Sequence, residues 1–214
     1  LLGERLQEVR RRVREVEARL AERRHELVER LAEMAPKAGW NLLRAPDHEQ
    51  ALLRLRNLAE QQGWRRGVYS DHDVFHRLRL GTLNGPSLRL RLMALGFGGS
   101  RESLRKEAAE ADVGVTGVDY AVAETATAVL LARQGVSRLV SLLPPVHVAV
   151  VEPAQVIANL DDLFLLRRLA YHQGGMDMGS YMSFITGPSR SADIEQTIVT
   201  GVHGPREVHL LLIG

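Results

Sequence analysis

Two short segments of this chain carry the residues best suited to chemistry. In residues 113–130 (VGVTGVDYAVAETATAVL) one carboxylate, Glu124, stands among the hydroxyls of Thr116, Thr125 and Thr127, with Gly117 close by. A carboxylate beside hydroxyls at the end of an apolar strand can act as a general base, a nucleophile or a ligand anchor. The same residue types also serve turns: Glu124 would then cap backbone amides, and the threonines would satisfy local polar groups. In residues 185–206 (ITGPSRSADIEQTIVTGVHGPR), Thr186, Gly187, Ser189, Arg190 and Ser191 combine hydroxyls, a permissive backbone and a guanidinium. Backbone N–H groups of residues 189–191, with the Arg190 side chain, suit a small carboxylate or phosphate ligand.

The surrounding residues say which elements must position these groups. Residues 112–115 (DVGV) predict a strand that delivers Thr116 and Gly117 to a turn, after which Asp119 caps a short helical turn before a strand over 128–131. Residues 183–186 (SFIT) predict a second strand, and Gly187-Pro188-Ser189 turns the chain at its end. Ser189 or Ser191 as a cap, Asp193 and Glu195 in a first turn, and the apolar face of Ile194, Ile198 and Val199 predict a helix next. Gly201 or Gly204, with Pro205, would end it. If both strands are parallel, both turns lie at one carboxyl edge and form two walls of one cleft, with His203 in a structural turn at the opposite edge.

The rest of the chain reads as alternating helices and strands. Leu6, Val9, Val13, Val16, Leu20, Leu27 and Met34 fall at steps of three and four, interrupted by Arg23, among arginines and glutamates. This predicts a long amphipathic helix over residues 1–35 that either packs along its own domain or serves as an arm joining two copies. Residues 36–46 read as a linker carrying Trp40, ahead of a domain over 36–214. Asp47 and Gln50 open a helix over 47–62 and Gly63 stops it. Residues 67–69, 88–92, 147–151 and 208–213 are strand candidates, residues 103–111 are helical, and Pro153 suits the start of a helix towards Tyr171. The glycine-rich loop over 96–100 lacks the lysine of a nucleotide-binding loop, and the Met-bearing segment over 174–180 reads as a loop. The pattern predicts an α/β fold, a mostly parallel sheet flanked by helices.

Composition narrows the function classes. The 214 residues are 45% apolar and 25% charged, with a net charge of +2 and 5% aromatics, so no basic stripe interleaved with aromatics marks a nucleic-acid binder. No apolar run reaches membrane-spanning length and no secretory signal opens the chain, so neither membrane insertion nor export is expected, and a cytoplasmic location is the default. There is no cysteine, which excludes disulfides, a thiol nucleophile and cysteine-ligated iron–sulfur clusters on these residues. Asp71, His72, Asp73 and His76 have metal-like types, but without a further ligand pattern they read as a capped surface helix, and no metal is expected.

Residues 113–130, then Ser141-Leu142-Leu143-Pro144, then Thr186-Gly187-Pro188-Ser189 with Ala192-Asp193-Ile194-Glu195, then Gly201-Val202-His203-Gly204-Pro205, occur in the order and spacing of lactate utilisation protein C. Together with Arg101-Glu102 they extend the resemblance to the LUD-domain family from about Gly99 to the C terminus. That family usually has glycine where this chain has Ala126, which argues against a positive φ there. His147 stands where the family also uses tyrosine, so no catalytic role is expected of it. The resemblance implies a fold like that of the sugar-phosphate isomerases, CoA transferases and 5-formyltetrahydrofolate cyclo-ligases. It also implies a part in L-lactate oxidation to pyruvate beside partner proteins that carry iron–sulfur clusters, this chain being a non-redox subunit with no cofactor of its own. The other function open to the same cleft is that of a stand-alone binder or enzyme for a CoA ester, folate or sugar phosphate.

Overall fold

The computed structural model describes residues 6–93, 100–131, 137–173, 179, 181–192 and 198–214. The N-terminal seam folds as two helices, α1 (Leu6–Glu22) and α2 (Arg24–Lys37), broken at Arg23, whose φ of −95° and ψ of 11° leave the helical region. Val9, Val13, Val16, Leu20 and Leu27 are all buried, and the last three join a core cluster with strand residues of the domain. Arg24 Nη1 donates to the carbonyls of Pro153 and Val156, both at 2.8 Å, and Arg19 pairs with buried Asp162. Among the described residues the seam therefore packs along its own domain.

After α2 come β1 (Asn41–Ala45), α3 (His48–Gln62), β2 (Arg66–Tyr69), α4 (Asp73–Leu78), β3 (Arg89–Leu92), α5 (Arg101–Glu110) and β4 (Val113–Gly117). Then follow β5 (Tyr120–Val122), β6 (Thr127–Leu131), α6 (Ser137–Leu142), β7 (Val146–Val151), β8 (Val156–Ile157) and α7 (Leu160–Gln173). The chain closes with β9 (Met182–Ile185), β10 (Arg190–Ala192), β11 (Ile198–Thr200) and β12 (Glu207–Ile213). Six strands form a wholly parallel sheet in the order β1-β12-β7-β4-β2-β3. Every residue of β4 and β7 is buried, as expected of central parallel strands covered on both faces. Ala149 and Val151 face a core under α1, α2 and a second sheet, whereas Val146, Val148 and Val150 face a core under α3 and α4. The second sheet runs β8-β5-β6-β9, with β5–β6 and β6–β9 antiparallel.

Local signals set many boundaries. The Asp47 carboxylate accepts from the Gln50 amide at 2.8 Å, and Gly63 ends α3 in the left-handed conformation. Four expectations are corrected. Residues 36–46 are not a linker: Pro36 sits in α2, Trp40 is buried, and 41–45 pair with β12 at the sheet's edge. Pro153 opens only a 3-10 turn; the helix begins at Leu160, where Asn159 Oδ1 accepts from the Asp162 amide. Asp119 caps no helical turn, because Tyr120–Val122 pairs with β6 and the Asp119 carboxylate accepts from the Leu131 amide across that hairpin. The helix expected after Ser189 is replaced by the antiparallel pair β10–β11; β-branched Ile198, Val199 and Thr200 favour a strand once a partner strand is at hand. Residues 193–197, most of the glycine-rich loop over 96–100 and nearly all of the 174–180 segment lie outside the described residues.

Candidate functional site

The pairing of Ala128 with Ile185 in β6 and β9 places the residues just beyond, Thr127 and Thr186, side by side. Their hydroxyl oxygens are 2.7 Å apart, and Thr127 Oγ1 lies 2.7 Å from Thr125 Oγ1. Thr127 is buried, whereas Thr125 and Thr186 are exposed. A hydroxyl has one proton to give and two lone pairs, so three in series leave a terminal group able to donate or accept outwards. The structure thus joins a threonine pair of the first motif segment to one threonine of the second.

Ala126, between Thr125 and Thr127, has a φ of +51°, contrary to expectation. Its carbonyl accepts from the indole N–H of buried Trp40 at 2.8 Å. A buried indole donor needs an acceptor, and the turned peptide supplies it. Ala126→Gly should therefore stabilise the fold by about 0.5–1 kcal/mol, because glycine removes the left-handed penalty and keeps the carbonyl. Chemical denaturation measures this; a destabilised variant would contradict the strained backbone.

The Gly187-Pro188 turn seats on the end of α2. Gly187 has a φ of +81°, and a Cβ there would lie 1.9 Å from the Ala38 carbonyl oxygen. A Cβ on Gly39 would lie 2.6 Å from Arg190 Nη2 and 2.9 Å from Pro188 Cδ. The exposed Arg190 side chain therefore folds back over Gly39, close to the turn that follows Thr186. Ser189 differs from expectation. Its N–H donates to the Pro205 carbonyl and its carbonyl accepts from Gly201, both at 2.9 Å, and Ser191 belongs to the β10–β11 pair. These amides form no open cradle at a helix start. The Gly201–Pro205 turn, expected at the opposite edge, is instead hydrogen-bonded to Ser189.

Thr116 and Gly117 do not join this cluster. Pro205 precedes β12, and Pro145, which accepts from Arg206 and Glu207, precedes β7, so the Ser189 turn sits at the amino edge of the parallel sheet. Gly117 ends β4 at the carboxyl edge, where a Cβ would lie 2.2 Å from His72 Cγ. Of the wall expected from Glu124, Thr125, Thr127 and Thr116, Thr125 and Thr127 do meet Thr186 of the other, but the Thr116-Gly117 and Gly187-Ser189 turns lie on opposite rims, because β9 belongs to the antiparallel sheet rather than to the parallel one. Thr116 is buried, with its hydroxyl 2.8 Å from His147 Nε2. Glu124 is exposed beyond β5; its amide donates to the Ala158 carbonyl, and it shares a groove of about 550 Å³ with His25, Arg30 and Glu33 of α2.

The sequence reading missed Gly39 and Trp40, both inside the supposed linker; a glycine before a tryptophan was the one local hint. It also gave no role to His147. That imidazole is fully buried beside Trp40, with ring centroids 6.3 Å apart, and its Nδ1 meets no partner among the described residues. Burial, and then the neighbouring His209, push its pKa down to about 3. Among the described residues no cluster of potential metal ligands occurs, and no helix is long and apolar enough to cross a membrane.

Comparison with known proteins fits this architecture. The LUD domain profile matches residues 6–213. A lactate utilization protein C of Halalkalibacterium halodurans is 40% identical over 104 residues, covering 49% of this chain and 45% of that protein. A lactate utilization protein B of Shouchella clausii is 35% identical over 115 residues, covering 53% of this chain and 22% of that protein. The chain spans about half the length of the protein C relatives it matches. The crystal structure of a DUF162 family protein from Deinococcus radiodurans has the same fold, with a TM-score of 0.54 at 19% identity over 89% of this chain and 98% of that one.

Proposed function

The chain belongs to the LUD-domain family, and from that premise we propose that it takes part in L-lactate oxidation to pyruvate as a non-redox subunit beside iron–sulfur partner proteins. The observation that carries this reading is the profile match over residues 6–213, joined to similarity with relatives called lactate utilization proteins B and C. Conversion of lactate to pyruvate releases two electrons and two protons. With no cysteine, these residues supply no thiolate to a cluster, so the electrons pass to groups held by the partners.

The hydroxyl series gives this chain a part in handling the acid. A small carboxylate presented to Thr186 and Thr125 meets hydroxyl donors fixed by buried Thr127, and the Arg190 guanidinium near Gly39 supplies the opposite charge. Removal of the gene from a host that grows on L-lactate should abolish growth on lactate and spare growth on pyruvate. Complementation by Thr127→Val with Arg190→Ala should be poor. Unimpaired growth on lactate without the chain would overturn the proposal.

A further inference from the structure

The carboxyl edge of the parallel sheet holds a second cleft, remote from the threonine series. β2 and β4 are neighbours whose connections diverge: β2 leads outwards to β3, and β4 leads the chain towards β7 on the other side. Open parallel sheets bind ligands outside the carboxyl ends of strands at such a switch point. A cleft of about 330 Å³ lies beside the ends of β2 and β3, bordered by α4. Tyr69, Phe75 and Leu92 give it a buried or half-buried apolar part, the two rings meeting edge to face with centroids 5.6 Å apart. His72, His76 and Arg79 line it as well, and His76 and Arg79 are exposed.

The positions of these groups are built. The His72 ring sits against Gly117, where any Cβ would collide with it at 2.2 Å. Its Nδ1 accepts from the Val74 amide at 3.2 Å, so the neutral ring carries its proton on Nε2. Arg79 holds a φ of +53°, a conformation that glycine adopts freely and arginine does not. Neighbouring Arg77 is tied to Glu152, whereas the Arg79 guanidinium has no carboxylate partner among the described residues. Asp71 is the one carboxylate lining the cleft, against two imidazoles and a guanidinium, and it is exposed to screening water. An arginine kept in a strained backbone at the mouth of a partly apolar cleft is a strained residue of the kind found at ligand sites.

We infer that this cleft binds a small organic anion, a carboxylate or phosphomonoester carried on an apolar or aromatic body. The anion meets Arg79 and His76, and the body lies against Tyr69, Phe75 and Leu92. The cleft's size is at the lower end for small-molecule sites, which suits a single ring rather than a dinucleotide.

The test is a titration of the full chain with phenyl phosphate, benzoate and orthophosphate at millimolar concentrations, read by the NMR signals of the histidine rings. Saturable shifts of His72 and His76 are expected with at least one organic anion, tighter than with orthophosphate. A response to phenyl phosphate alone assigns the phosphomonoester, and a response to benzoate assigns the carboxylate. Arg79→Gly should weaken binding at least tenfold yet melt at or above the wild-type temperature; His76→Ala provides a second weakened variant. Arg190→Ala should bind as the wild type does, so the outcome here is separable from that of the lactate reading. No saturable shift with either organic anion, orthophosphate as tight as phenyl phosphate, or wild-type affinity in both Arg79→Gly and His76→Ala would overturn the proposal.

Discussion

Alanine at Gly187 is expected to destabilise the domain by about 3–5 kcal/mol, the sum of left-handed strain and a backbone collision. The φ of +81° alone is unfavourable for a side chain, and the new Cβ would lie 1.9 Å from the Ala38 carbonyl oxygen. That oxygen belongs to the peptide following α2, so relief requires lifting the whole Gly187-Pro188 turn from the helix end. Lifting it also moves Thr186, whose hydroxyl is 2.7 Å from Thr127, so the threonine series opens as the fold weakens. Gly63→Ala is the control. Gly63 also has a left-handed φ, +67°, but nothing lies within 4 Å of its added Cβ, so the expected loss is only about 1 kcal/mol. Denaturant midpoints of the two variants measure the difference; equal losses would show that the turn does not rest on α2.

Stability should also fall steeply with acid, and His147 should be the main cause. Its folded-state pKa of about 3 lies below the ordinary 6.5, so above that value both states hold a neutral ring and the group adds no pH dependence. As the pH falls below 6.5, the unfolded chain takes a proton that the folded one refuses. Each unit then removes about 1.4 kcal/mol, or roughly 2 kcal/mol between pH 6.5 and 5. His209 adds in the same direction: burial lowers its pKa, and Glu207 opposes this only in part. Glu152 follows at lower pH. Burial raises its pKa, but hydrogen bonds from Arg77 and His48 outweigh that and leave it lowered, so its stabilisation is lost as its carboxylate protonates. His147→Gln should flatten the slope by close to one proton between pH 6.5 and 5, measured by urea unfolding at a series of pH values. An unchanged slope would mean that the ring is not held neutral.

How legible these features were depended on whether their causes were local. The Asp47 cap and the Gly63 stop involve contacts within one helix, and both stand where the sequence put them. The apolar runs of β4 and β7 announced central parallel strands because burial on both faces leaves no room for polar alternation. The segment after Ser189 failed for the opposite reason: its acids and serines are good helix starts, but the β10–β11 pairing, invisible to any local window, decides the outcome. The same blindness produced the shared rim. Residues 183–186 did carry a strand, yet nothing in them says that β9 pairs antiparallel with β6 instead of entering the parallel sheet. Within the site, the spacing of Thr125 and Thr127 and the Thr186-Gly187 turn were visible, but their meeting depended on register. Ala126 was misread because residue type is only a statistical guide to φ; the Trp40 indole, 86 positions earlier, draws its carbonyl into place. Membership of the LUD-domain family was readable from the ordered motifs, whereas Asp71, His72 and His76 stood out in the sequence only as metal-like types on a capped helix, and the cleft they line with Tyr69, Arg79 and Leu92 depends on the packing of α4 beside the ends of β2 and β3.

The most direct trial of the proposed role is reconstitution from purified components: the proposed cluster-bearing partners, L-lactate and an artificial electron acceptor, with pyruvate formation followed over time. Pyruvate should appear only when this chain is added, and addition of the Thr127→Val, Arg190→Ala double variant should restore a small fraction of the rate. Pyruvate forming equally fast without the chain would contradict the account.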